Sequence, residues 1–376
     1  MTKTQIGSNW RMPLIAFGAG TMLAGTAGAQ SSVTLYGIVD AGVTYTNNQQ
    51  GHSAWQATAG NESGPRWGML GTDDLGGGLK ASFRLENGFN LENGVAGQGG
   101  RMFGRQAWVG MGSDRLGVVT LGRQYNTVQD ILGAMQISST LVQYSTHPFD
   151  NDDINNTFRT NNAVKYVSPS VAGLQANLLY GFSNATGFSD NNSWSAGLTY
   201  TRGPLNVGAA YARMNRPASS TVGAVASDNY YASTAAVFGT RLADATRQQI
   251  WGGGATYAFG PATLGLLYTG TDFNMAAGGA LRFGNYEGSV RYSLSPALTA
   301  ALGYTYTQTS QGDTSGHYHQ VSAGLQYLLS KRTDVYINGL YQKASSGIGH
   351  AWIDGIAAPS STTSQLAFVA GLRQKF

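Results

Sequence analysis

Leu79-Lys80-Ala81-Ser82-Phe83-Arg84-Leu85-Glu86 decides the fold class by its alternation. Side chains of an extended chain point to opposite faces in turn, so Leu79, Ala81, Phe83 and Leu85 share an apolar face. Lys80, Ser82, Arg84 and Glu86 share the other, which carries three charges. A soluble sandwich could also use such a strand, with the charges in water and Phe83 in the core. The choice between the two must come from many strands together.

Working outward, the same period of two recurs almost everywhere beyond Gln30, and a helical period almost nowhere. Roughly sixteen such segments can be placed, from Val33–Tyr45 through Arg66–Asp73, Leu79–Asn87 and Phe103–Gly112 to Gln365–Phe376. Short turns rich in Gly, Pro, Ser or Asp, such as Gly203-Pro204, Gly260-Pro261 and Ser295-Pro296, join some of them. Between these lie long polar stretches at Asn47–Pro65, Asn126–Phe158, Asn215–Arg247 and Ala344–Ser364. Short connections at one end and long ones at the other predict an all-β chain: a transmembrane antiparallel β-barrel of 16 strands. Tyr and Trp near the segment ends fit an interfacial girdle, and the Gly, Ser, Asn, Gln, Arg and Lys of the opposite faces fit a wet lumen.

Composition agrees. Charged residues are 11% of the 376, less than half the usual share of about 25%, while glycine reaches 53. No cysteine is present, which excludes disulfides, cysteine-ligated metals and cysteine nucleophiles. Residues 1–29 read as a cleaved signal peptide, with Lys3 and Arg11 as the basic region, Met12–Leu23 as the apolar stretch and Ala27-Gly28-Ala29 before the cleavage site. Residues 30–376 then form a single barrel domain. Without Lys3 and Arg11, 21 basic residues face 19 acidic ones, and the net charge falls from +4 to +2. The bases are dispersed, so nucleic acid is not an expected partner.

The last segment, Gln365–Phe376, places Leu366, Phe368, Ala370, Leu372 and Phe376 on one face. An amphipathic strand ending in an aromatic looks like the terminal strand by which outer-membrane proteins are recognised for insertion. Phe376 is therefore the expected assembly signal for the barrel-assembly machinery.

Ser32–Gly42, Trp67–Asn90 and Arg105–Gly110 with Leu116–Tyr125 carry a more specific likeness. The turn Asp73-Asp74-Leu75-Gly76-Gly77-Gly78-Leu79-Lys80 followed by Phe83-Arg84-Leu85-Glu86-Asn87-Gly88-Phe89 is its most distinctive part. Together with Arg373-Gln374-Lys375-Phe376, these segments resemble the general diffusion porins of β-proteobacteria such as Burkholderia, Bordetella and Neisseria. The resemblance implies short periplasmic turns, long extracellular loops, a homotrimer in contact with outer-membrane lipids and lipopolysaccharide, and passive diffusion of small hydrophilic solutes and ions.

It further implies that the third long loop, Asn126–Phe158, folds into the lumen and sets acids against a basic wall. The loop contains Asp130, Asp150, Asp152 and Asp153; Arg66, Arg84, Arg105, Arg123 and Arg159 lie on early strands. The resemblance places Arg66, Arg105 and Arg159 in the basic cluster, and strand parity turns Lys80, Arg84 and Lys165 inward. Opposed charges across a wet aperture favour small polar solutes, and an excess of bases predicts a weak preference for anions, screened by salt. Each arginine could instead be a solvated strand-end charge or a snorkelling side chain.

No catalytic, metal or cofactor constellation competes. His317 and His319 have metal-like spacing but border Ser310–Gly316 and read as exposed loop residues. Asp150-Asn151-Asp152-Asp153 lacks the glycine and glutamate of a calcium loop. Gly76-Gly77-Gly78 is followed by Leu79-Lys80, not the Lys-Ser or Lys-Thr of a phosphate cradle. A substrate-specific channel and a barrel-anchored adhesin stay open as alternatives to the general porin.

Overall fold

The computed structural model describes residues 32–139, 143–226, 237–239 and 244–376. The signal peptide expected at residues 1–29 lies outside them. Among the described residues the strands are β1 (Ser32–Gln49), β2 (His52–Ala59), β3 (Arg66–Gly76), β4 (Leu79–Gly88), β5 (Gln106–Ser113), β6 (Gly117–Gln124), β7 (Thr160–Val167), β8 (Leu174–Gly181) and β9 (Ser193–Arg202). They continue as β10 (Leu205–Asn215), β11 (Ala245–Phe259), β12 (Ala262–Met275), β13 (Ala280–Ser293), β14 (Leu298–Gln311), β15 (Thr314–Leu328), β16 (Thr333–Ala344) and β17 (Ser364–Lys375).

From β3 to β17 each strand pairs antiparallel with the next, and β17 returns to β1. One half of β1, Ser32–Ile38, pairs with β3, and the other, from Ala41 to Gln49, with β2. β2 and β3 are thus one stave interrupted by residues 60–65, and the segments close into a 16-strand barrel. Closure leaves no open edge.

This corrects the reading of Asn47–Pro65 as a loop. Gly60, Gly64 and Pro65 look like a turn, but the chain leaves the ladder here only briefly. Pro65 has no N–H to give the ladder, and the N–H groups of Glu62 and Ser63 both donate to Asp40 Oδ2 at 2.7 Å. His317 and His319 also differ from expectation: both lie within β15, on the outward face with Tyr304 and Tyr306.

Burial inverts that of a soluble protein. Leu266, Leu302, Leu325, Ile337 and Phe368 are exposed on the outer face, whereas Thr307, Gln320, Asn338 and Gln342 on the inner face are buried. The wall is uneven: β5, β6, β7 and β8 have 8 residues each, against 14 or 15 in β11 to β15.

The segment between β6 and β7 turns inward. Its helix, Thr127–Leu132, is capped by Asn126, whose side chain accepts from Gln129 N at 3.0 Å. Ile131, Leu132 and Met135 pack on the inner faces of β9, β10 and β11, where glycine makes the seat. A Cβ on Gly208 would lie 2.5 Å from Ile131 and 2.7 Å from Met135. The segment between β16 and β17 also enters, burying Ile353 and Ile356 beside Tyr144 and Ile137.

Candidate functional site

Two loops packed against the inner wall border a cavity near the loop-side ends of β2, β3, β4 and β5. There the quoted sequence segments converge. Glu86, inward on β4, accepts from Tyr36 OH and from Arg105 Nε, both at 2.8 Å. Arg105 Nη2 donates to Tyr125 OH at 2.8 Å, and the Arg159 guanidinium lies over the Tyr125 ring, 5.3 Å from its centre. Arg66 Nε donates to Gly64 O at 2.9 Å, and a Cβ on Gly64 would sit within 4.0 Å of both Arg66 and Arg105. Burial pushes the Tyr125 phenol up, but Arg105, Arg159 and Arg66 together outweigh it and hold it below its ordinary value.

Arg66, Arg105 and Arg159 thus stand together, with Glu86 as the carboxylate bonded among them. Arg84 lies next along β4, its guanidinium 5.8 Å from the Tyr36 ring centre and 6.0 Å from that of Trp108. Arg123 is buried away from the opening, donating to Gly104 O at 2.8 Å and to Asn161 Oδ1. Lys165 pairs with Asp130 at 2.5 Å, tying wall to loop, and Lys80 is exposed toward the short-turn end. Phe376 extends the closing seam: its N–H and C=O pair with Gly37 at 3.0 Å each.

The other acids of the third loop are not placed as expected. Asp150, Asp152 and Asp153 are buried within the loop's own scaffold and do not face the arginines across water. Asp150 accepts from Asn155 N, Thr157 N and Thr157 Oγ1, each at 2.8 Å. Asp153 accepts from Phe158 N at 2.9 Å and from Asn126 Nδ2. The tight turns of this loop leave backbone donors that no ladder satisfies, and carboxylates satisfy them. Desolvation raises both Asp150 and Asp153; repulsion from Asp152 and Asp354 adds to the rise of Asp150, and repulsion from Asp150 to that of Asp153.

Asp152 anchors the loop tip. It accepts from His147 Nδ1 at 2.6 Å and from Thr269 Oγ1, while His147 Nε2 lies 3.4 Å from Glu287. Burial alone would lower His147, but Asp152 and Glu287 outweigh it and push it up to about 10. The inserted residues 60–65 hold the same tip from the other side: Tyr144 OH donates to Asn61 Oδ1 at 2.6 Å and Gln143 N to Asn61 O at 3.0 Å.

Between these walls lies a cavity of about 490 Å³. Arg105 and Arg159 line it together with Glu92, Asn155, Asn156, Tyr144 and Asp354, and Arg159 Nη2 donates to Asn156 Oδ1 at 2.5 Å. Tyr36, Glu86 and Tyr125 escaped the sequence reading although they stand inside the quoted segments; as neutral or oppositely charged residues they did not register as basic wall. Asp354 lay in a stretch read only as a long loop. The arrangement can order and pass small polar molecules, with positive charge in excess along one wall.

Comparison with known proteins gives three findings. The Gram-negative porin family matches residues 15–347. An outer membrane porin protein of Bordetella pertussis is 32% identical over 86% of this chain and 93% of its own, and outer membrane porin protein 32 of Delftia acidovorans is 31% identical over 94% and 96%. The solved structure of an anion-selective porin from Comamonas acidovorans superposes with a TM-score of 0.74 at 28% identity, covering 92% of this chain and 100% of that one.

Proposed function

Because the chain belongs to the Gram-negative porin family and resides in the bacterial outer membrane, we propose that it is a general diffusion channel for small hydrophilic solutes with a weak preference for anions. The observation that carries this reading is the cavity lined by Arg105 and Arg159, with Arg66 beside Arg105 at Gly64. The similar porin from Comamonas acidovorans is described as anion-selective, which supports the sign.

The protein works as a homotrimer in this reading. An eight-residue strand tilted by about 45° rises only ~19 Å, short of the ~25 Å apolar band of an outer-membrane barrel. The low wall of β5 to β8 is therefore better covered by a neighbouring subunit than by lipid, while the tall β11–β15 side meets lipid and lipopolysaccharide. Residues 1–29 act as the cleaved export signal, and Phe376 presents the terminal strand to the assembly machinery.

Solute influx into proteoliposomes tests the general reading. Swelling rates should fall smoothly with solute size and rise linearly with concentration. Saturation by one sugar or carboxylate would favour a substrate-specific channel, and absence of swelling with intact trimers would favour an adhesin.

A further inference from the structure

Asp354 stands apart from the other loop acids. Asp150 and Asp153 spend their oxygens on the loop scaffold and Asp152 bonds through one oxygen to His147 and the Thr269 wall hydroxyl, but among the described residues no group donates a hydrogen bond to Asp354. Its position is nevertheless fixed. Ile353 and Ile356 on either side are buried, Ile353 N donates to Gln365 Oε1 at 2.8 Å, and Trp352 is held by Gln342 Oε1 at 2.6 Å and Ile356 O at 2.7 Å. With its neighbours turned into the packed interior, the half-buried carboxylate of Asp354 lines the same 490 Å³ cavity as Arg105 and Arg159.

We propose that Asp354, carried by the loop between β16 and β17, is the residue that sets how strongly this aperture prefers anions: its negative charge offsets part of the arginine field felt by a permeating ion. The acidic groups on the cavity are then Asp354 in this last long loop and the exposed Glu92 in the loop after β4, and the third loop supplies mainly uncharged groups. The inference rests on the channel reading above.

The surroundings also make the offset depend on pH. Burial pushes the Asp354 carboxyl up to about 7. The charged or titratable groups around it are Arg105 and Arg159 on the wall, Glu92 in the loop after β4, and Asp150 and Tyr144 in the third loop. Above about pH 7 the carboxylate is charged and anion preference is reduced; below it the group is neutral and the arginines act undiminished.

The test is the anion-to-cation permeability ratio of the full-length trimer in planar bilayers, in a potassium chloride gradient at pH 5 to 9. Wild type should gain anion preference as pH falls through about 7. Asp354→Asn should raise the ratio roughly twofold at pH 8 and flatten the pH profile, as loss of one charge near the ion path requires. Asp354→Glu should restore the pH response. An Asp354→Asn ratio and profile equal to wild type would overturn the proposal while leaving the channel reading intact. A wild-type trimer without conductance would refute the channel reading itself.

Discussion

Glu86 shows how much a single inward residue can organise. It lies on the charged face of the strand first read from sequence, and its two oxygens take the Tyr36 hydroxyl and the Arg105 guanidinium. Charge-assisted bonds of this kind in a confined site fix geometry as well as charge. Replacing Glu86 with Gln should leave Arg105 less constrained and raise anion preference, because positive charge remains and its counter-charge goes. Asp150 makes the opposite case. Since its carboxylate serves loop N–H groups, Asp150→Ala should cost about 1–3 kcal/mol of stability, seen as a lower unfolding temperature. Its reversal potential should move far less than that of a residue on the aperture. His147 adds a pH dependence with a defined sign. Its raised value means that the protonated imidazole stabilises the folded loop fully below about pH 6.5. That contribution is lost as pH rises toward about 10. Channel noise from third-loop motion should therefore grow between these limits in wild type, and His147→Ala should be noisy throughout.

At the scale of elements, the third loop is held by side chains entering a glycine-lined seat and by the polar anchors around its tip. Gly208→Leu would drive a side chain into Ile131 and Met135, and overpacking of this kind costs about 1–3 kcal/mol. The expected result is a loosened loop and flickering conductance, measured in single-channel recordings, with the barrel itself retained. The strands were legible because a period of two survives in one sequence: the β4 alternation, the β9–β10 turn at Gly203-Pro204 and the outward apolar set of β17 all stand where the pattern put them. The β2 strand was not legible, because residues 60–65 have turn composition while β1 runs on past them and Asp40 satisfies the freed N–H groups from across the interruption. Nor were the roles of the loop acids. Whether an Asp faces water or caps a turn is decided by the backbone around it, which composition does not contain. Arg66, Arg105 and Arg159 follow from family resemblance; nothing in their spacing alone brings residues 39 to 93 positions apart onto one another.

For the whole molecule, the charge scarcity and the glycine excess have one physical account. The outer face excludes charge because it meets lipid, glycine admits tight turns and lets loops lie against the inner wall, and several of the few charges, Glu86, Arg66, Arg105 and Arg159 among them, meet on the inner wall. The quoted motifs come together on that passage: Tyr36, Glu86, Arg105 and Tyr125 belong to separate segments yet form one chain of hydrogen bonds. The most direct test of the account is the zero-current potential of purified wild-type and Arg105→Ser trimers in a planar bilayer under a salt gradient. The arginine aperture predicts ohmic steps that scale with bulk conductivity, a potential of anion-selective sign in wild type, and a shift toward cations in Arg105→Ser. A cation-selective wild type, or a variant with an unchanged potential, would contradict it.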